Sequence, residues 1–176
     1  VDHMVRLIDD LLDISRVTTG TIVLQRRTFA LRDAVQAAVE AVRAAVEDAG
    51  HRLHVEPGAH PLWVDGDPVR ISQVISNLLT NAVRYTPDGG EIRLSLRAEA
   101  DSAVIAVSDT GIGIPAPMLD AVFDMFTQAH RGQLPAQQGL GIGLALVRRL
   151  VELHGGSVDA ASDGEGCGTT MTVRLP

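Results

Sequence analysis

Two asparagines, Asn77 and Asn81, are the chain's full complement of that residue, and they stand four positions apart. In a helix this spacing stacks them on one face. Arg84 and Tyr85 continue the same edge one turn on. Asparagine is a poor helix former, so two of them in an otherwise apolar helix need a reason. One reason is chemical. Amide oxygens can complete the hard-oxygen shell of magnesium, which keeps several waters, and a neighbouring Arg suits phosphate oxygens. The other is a pair of surface or internally bonded amides. A second constellation, Ser108-Asp109-Thr110-Gly111-Ile112-Gly113-Ile114-Pro115, directly follows an apolar stretch. An Asp at a strand end can accept a hydrogen bond from an exocyclic amine, and Gly111 and Gly113 let backbone come close to a flat ring. The plain alternative is an Asp-Thr-Gly turn. Aspartic proteases also use that tripeptide, but they need a second copy or a homodimer, and the sequence holds one copy. A third constellation is Gly139-Leu140-Gly141-Ile142-Gly143-Leu144, which opens a helix. Glycines before a helix start expose N–H groups to an anion, and the helix dipole adds to the attraction. No Gly-Lys-Ser/Thr follows, and no strand immediately precedes, so neither the Walker pattern nor the dinucleotide fingerprint applies.

The elements that must carry these groups are readable from periodicity. Apolar residues at 1, 4, 5, 8, 11 and 12 make a helical stripe. A stripe this strong at the chain start suggests a helix cut from a larger bundle, and Thr18-Thr19-Gly20 ends it. Ile22–Leu24 reads as a short strand. Leu31 to Val46 repeats as an amphipathic helix with Gly50 as its stop. Short strands follow near Leu53–Val55 and Leu62–Val64. Asp67-Pro68 starts the helix that bears the asparagines, with Asp as cap and Pro in the first turn. Its apolar face is Ile71, Val74, Ile75, Leu78, Leu79 and Ala82. Strands are expected over Ile92–Leu96 and Ala103–Val107, a helix from about Pro117 to Met125, and a helix carrying Leu144, Val147, Leu150 and Val151. Two strands, near 157–161 and 169–175, close the pattern. The polar stretch Gln128–Gln138 reads as a lid over a bound phosphate. Helices mixed with antiparallel hairpins point to an α/β (α+β) two-layer sandwich, helices packed on one face of a sheet.

Composition narrows the function further. The chain has 176 residues and a formal charge of −7, which argues against a broad nucleic-acid surface. All 15 basic residues are Arg, so chemistry needing Lys is excluded. The lone Cys167 reads as a small packed residue in a reducing compartment. No apolar run approaches the roughly 20 residues of a membrane span. The chain starts at Val1, which reads as a fragment of a longer parent.

The order of these motifs resembles the ATP-binding catalytic domain of sensor histidine kinases, within the Bergerat-fold ATPase and kinase superfamily. Asn77 to Pro87 is similar to the family's N box, Asp109 to Pro115 to its first glycine box, Phe123-x-x-Phe126 to its F box, and Gly139 to Gly143 to its second glycine box. The likeness is strong from about residue 65 to 176. It is weaker at the start, where residues 4–16 are similar to the end of the second helix of the dimerisation hairpin. It implies a boundary: residues 1–19 as that helix end, residues 20–176 as the ATP-binding domain. It implies a mixed, largely antiparallel sheet with helices on one face, binding ATP or ADP with magnesium. Asp109 would accept from the adenine amine, with Gly111, Gly113 and Ile114 at the ring. Asn81 would hold magnesium, with Asn77 helping at the phosphates. Arg84 stands where the family often has Lys, and Tyr85 would lie near the nucleotide. Gly139, Leu140, Gly141, Ile142, Gly143 and Leu144 would meet the phosphates, and Thr170 would assist Asp109, with Met171 in place of a common Phe.

The same resemblance implies what the sequence lacks. The family's phosphoacceptor is a His followed by an acidic residue, and none of the six histidines has such a neighbour. The target would therefore be a hairpin in the parent chain, which would be a homodimer serving a response-regulator receiver domain, cytoplasmic or membrane-anchored. His130, in the presumed lid, is the histidine best placed to touch phosphate. Two other readings remain. Partner-switching ATPases of this superfamily carry a Glu four residues before the magnesium Asn; here that position is Asn77, which cannot act as a base. An interaction module with a dead pocket is the non-enzymatic reading.

Overall fold

A computed structural model describes residues 2–127 and 141–176. The expected lid, with His130, Gly139 and Leu140, lies outside the described residues. Asp67 starts the helix at the centre of the fold, α3 (Pro68–Tyr85). Its Oδ1 accepts the N–H groups of Val69 and Arg70 at 3.0 and 3.2 Å, and Pro68 fills the first position. Such a cap is worth about 1 kcal/mol. Thr86 turns to extended backbone before Pro87, and the helix ends there. The six expected apolar residues of α3 are all at most 3% exposed. Each such burial is worth roughly 1.5–3 kcal/mol for the larger side chains, so this face fixes how α3 is rotated.

The other helices are α1 (Asp2–Thr18), α2 (Leu31–Asp48) and α4 (Gly143–Leu153). Packing of α3 against both α2 and α4 forms the helical layer. The strands are β1 (Arg27–Ala30), β2 (Arg52–Glu56), β3 (Trp63–Gly66), β4 (Glu91–Glu99), β5 (Ser102–Asp109), β6 (Ser157–Ala161) and β7 (Thr169–Leu175). Five form one sheet in the order β2-β4-β5-β7-β6. Only the β2–β4 pair is parallel; β4–β5, β5–β7 and β6–β7 are antiparallel. β1 and β3 make a separate antiparallel ribbon. The expected two-layer architecture is what is found.

Strand alternation separates the two faces of the sheet. Ile92, Leu94 and Leu96, then Ala103, Ile105 and Val107, then Met171, Val173 and Leu175 join the core with the helices. Arg93, Arg97, Thr170, Thr172 and Arg174 take the opposite parity. Val104 has that outer parity too, yet is fully buried. In register it lies between Arg97 and Arg174, whose aliphatic stems can cover it.

Three expectations shift. Cys167, expected as a small packed residue, is exposed. The strand expected at Ile22–Leu24 is absent; Ile22 packs on the core, and pairing begins at Arg27, where buried Phe29 faces Val64 across the ribbon. The helix expected over 117–125 is instead two single 3₁₀ turns, Ala116–Met118 and Ala121–Phe123. Pro115 and Pro117 remove two N–H donors there, and Asp124 is already extended. Among the described residues, no helix is long and apolar enough to cross a membrane.

Candidate functional site

The C-terminal end of β5 delivers Asp109 to the floor of a cleft open to solvent at its mouth. Leu78 and Ala82 of α3 form one apolar wall, and Val107, Met171, Ile114 and Val122 form the rest. Asp109 Oδ1 accepts the backbone N–H of Gly111 at 2.8 Å and of Thr169 at 3.2 Å. Among the described residues nothing donates to Oδ2, leaving one carboxylate oxygen for a ligand donor. Burial pushes the Asp109 carboxyl above its ordinary range, and the two N–H bonds offset part of that rise.

The loop after Asp109 is held by backbone contacts. Ile112 donates to the Tyr85 carbonyl at 3.0 Å, tying the loop to the end of α3. Its other side rests on the β6–β7 hairpin. Gly166 donates to Ile112 O at 2.7 Å and Gly168 to Gly111 O at 3.0 Å. Ser162 Oγ accepts from Ile114 N at 3.0 Å and donates to Gly168 O at 2.7 Å. At Gly113, with φ +73°, a Cβ would sit 2.0 Å from the Gly164 carbonyl oxygen. Only glycine permits two backbones this close.

The opposite wall is built from helix parts. Asn81 and Tyr85 of α3 line the cleft, as does Leu144 in the first turn of α4. α4 begins at Gly143 without a side-chain cap, and a Cβ on Gly143 would meet nothing within 4 Å. Uncapped first-turn N–H groups beside open space suit an anion. Gly141, at φ +70°, lets the chain pass the Thr127 carbonyl, and Phe126 N donates to Gly141 O at 3.0 Å. Ile142 is buried below this turn. Of the two phenylalanines, Phe123 is buried and Phe126 is exposed.

Seven expected site residues lie off the cleft lining: Asn77, Arg84, Gly111, Gly141, Ile142, Gly143 and Thr170. Asn77, one turn before Asn81, has its Nδ2 buried without a partner among the described residues. Arg84, in the last turn of α3, has no ion pair among the described residues. Thr170 is displaced from the expected place. It pairs with Ser108 hydroxyl to hydroxyl at 2.9 Å on the outer face of the sheet, and Thr169 lines the cleft against Asp109 instead. The signal for this was the alternation Met171, Val173, Leu175, which puts Thr169 on the apolar face and Thr170 on the other.

An acceptor in an apolar slot fits a flat heterocycle with an amine donor. The amide of Asn81 and the open start of α4, across the same cleft, fit a cation and an anion. The sequence model of the family described as "Histidine kinase-, DNA gyrase B-, and HSP90-like ATPase" matches residues 66–176. The chain belongs to that family. The circadian input-output histidine kinase CikA of Thermosynechococcus vestitus is 37% identical over 178 residues, covering 99% of this chain and 24% of CikA. The histidine protein kinase DivJ of Caulobacter vibrioides is 38% identical over 176 residues, covering 99% of this chain and 29% of DivJ. Among solved structures, full-length ShkA in complex with AMPPNP superimposes with a TM-score of 0.84 at 25% identity, covering 99% of this chain and 36% of ShkA. The chain thus spans about a quarter of the length of the curated relatives it matches.

As a histidine kinase-like ATPase domain, the molecule uses residues that motif spacing did not single out. Thr169 holds Asp109, Ser162 braces the glycine loop, and Leu78, Val107 and Val122 shape the slot. None has a distinctive type or spacing; each earns its place by register or packing.

Proposed function

We propose that this chain is the ATP-binding catalytic domain of a sensor histidine kinase, with residues 20–176 as that domain and residues 1–19 as the end of the second helix of a dimerisation hairpin. The reaction is transfer of the ATP γ-phosphoryl group to a histidine on a hairpin outside this sequence. The observation that carries the reading is the convergence of the half-free Asp109 carboxylate, the Asn81 amide and the uncapped α4 start on one apolar cleft. In this reading Asp109 accepts from the adenine amine, Gly111, Gly113 and Ile114 shape the base site, and Tyr85 packs near the nucleotide. Asn77 and Arg84 reach the phosphates from α3, beside the glycine turn Gly139 to Gly143 and Leu144. Thr170 supports Asp109 indirectly, through β7.

Magnesium fits the Asn81 side of the cleft, because that ion takes few protein oxygens and relies on waters and substrate phosphates. When bound, it supplies charge neutralisation for phosphoryl transfer. The chain's own part is to hold, orient and shield the nucleotide. Asn77, where partner-switching ATPases have a Glu, provides no base to activate water, which favours transfer over hydrolysis. The names of CikA and DivJ support the kinase assignment. A response-regulator receiver domain as the next acceptor, a homodimeric parent and a cytoplasmic location follow from the same reading.

Calorimetric titration tests it, with ADP and a non-hydrolysable ATP analogue, with and without magnesium. Saturable binding that tightens with magnesium is the expected result. A folded chain that binds neither nucleotide would defeat the reading.

A further inference from the structure

We infer that Arg70 and Gln73 are positioning residues: with Asp13 they form a clamp that fixes the direction in which α1 leaves the ATPase domain, and hence the distance from the cleft to whatever α1 carries upstream. The consequence for phosphoryl transfer rests on the kinase reading above; the clamp itself does not.

Asp13 Oδ2 accepts from Arg70 Nη1 at 2.7 Å and from Gln73 Nε2 at 2.8 Å, and Arg70 Nη1 also reaches Gln73 Oε1 at 2.8 Å. The three side chains close a ring across the α1–α3 contact. The ion pair within it is unlike the rest. Its side chains are 23% and 13% exposed, while every other ion pair among the described residues has both side chains at least 37% exposed. Exposed pairs contribute little. A desolvated pair is also an inefficient source of stability compared with apolar packing, and its best-attested use is to specify one geometry.

Its place in the fold supports that use. On the domain side of the clamp, Ile14 and Val17 pack into the core. On the other side, Val5, Ile8 and Leu12 are about half exposed. Among the described side chains, the clamp therefore marks the last firm contact before α1 projects from the domain. One turn earlier on α3, Asp67 Oδ2 accepts the N–H of Gln25 at 3.0 Å, and Asp67 N donates to His154 Nε2 of α4 at 3.0 Å. His154 Nδ1 in turn donates to Leu150 O at 2.7 Å. The helix exit, the linker and both cleft-bearing helices are thus joined at one node. From Gln73 the same face of α3 continues through Asn77 to Asn81 in the cleft, about 12 Å away at helical rise. A rigid helix connects the clamp to the site.

The test uses the 176-residue chain with spin labels on the exposed native Cys167 and on an Ile8→Cys substitution, and reads the distribution of distances between them. A single narrow distribution is expected. Asp13→Ala and Arg70→Ala should each broaden it about twofold, with nucleotide affinity unchanged. The charge swap Asp13→Arg with Arg70→Asp should narrow it again. Gln73→Met, which keeps the bulk, removes both bonds of the amide and leaves the Asp13–Arg70 pair, gives an intermediate width and serves if the alanine variants do not fold. Identical widths in wild type and folded clamp variants would overturn the proposal. In a chain extended upstream through the acceptor hairpin, clamp variants should transfer phosphate about tenfold more slowly. If that extended wild-type chain labels no histidine, the kinase reading fails and the distances still decide the clamp. If it transfers and the clamp variants transfer equally well, the clamp fails and the kinase reading stands.

Discussion

The two walls of the cleft are built on different principles. The Asp109 wall is made of strand ends and glycine loops, and its polar groups are bonded to one another: Asp109 to Gly111 and Thr169, Ser162 to Ile114 and Gly168. The helix wall is under-bonded. α4 starts without a side-chain cap, and beside the lining on α3, among the described residues, Asn77 Nδ2 is buried without a partner and Arg84 has no ion pair. One wall is complete before any ligand arrives; the other is left with open valences. Under the proposed function, a rigid wall for the base and a wall that finishes assembling around the phosphates suit a domain that must bind firmly and then release a changed product.

Substitutions on each wall should fail in different ways. The largest effect is expected at Gly168, where φ is +72° and a Cβ would lie 2.1 Å from the Asp109 carbonyl oxygen. Gly168→Ala should cost about 3 kcal/mol or more of stability, read from urea unfolding; near-wild-type stability would show the braced wall to be soft. Asp109→Asn should weaken adenine-nucleotide binding about 100-fold, as for a lost hydrogen bond to a charged group. It should not lower the melting temperature, because burial already works against the charged carboxylate. On the helix wall, Asn81→Ala should leave folding nearly intact and shrink the magnesium-dependent gain in affinity about tenfold. An undiminished gain would move the metal away from Asn81.

Acid supplies a finer probe of the same contrast. Since Asp109 titrates above the ordinary Asp range when folded, the folded chain keeps a proton that the unfolded chain has lost between the two values. Its contribution to stability is therefore present below the ordinary value and declines as pH rises through the window. Nucleotide binding should run the other way, weakening as acid protonates Asp109, and Asp109→Asn should flatten that profile in titrations across the acid range. The smallest effect is expected at Gly143, which has open space around it and no positive φ. Gly143→Ala should raise stability by about 0.5 kcal/mol, measured by the same unfolding assay, while trimming affinity for phosphate-bearing ligands.

Chemistry with a fixed local spacing was legible in the chain. Asn77 and Asn81 share a face because a helix repeats, and the Asp67-Pro68 start and the apolar face of α3 follow from the same repeat. Asp109 was legible because it ends an apolar strand. What depends on partners across the sheet was not. The choice of Thr169 over Thr170 is a one-residue question of parity, answered by the register of β5 on β7. Ser162 is an ordinary serine until the hairpin folds back on Ile114. The 3₁₀ turns at 116–123 replace an expected helix because two prolines outweigh a modest apolar pattern. Asp13 gave no sign of its role, since its partners Arg70 and Gln73 lie 57 and 60 residues away.

The strand that comes last in the sequence, β7, sits between β5 and β6, inside the sheet. A ribosome must therefore deliver residue 175 before Ile105 and Val107 gain their neighbours Val173 and Met171. Until then the nascent chain displays an open β5 edge, the kind of surface that pairs with other chains and engages chaperones. A stop codon or protease cut ahead of Thr169 would remove the middle of the core along with the residue that holds Asp109. A product shortened by that one strand would lose the fold itself rather than bind its ligand less well.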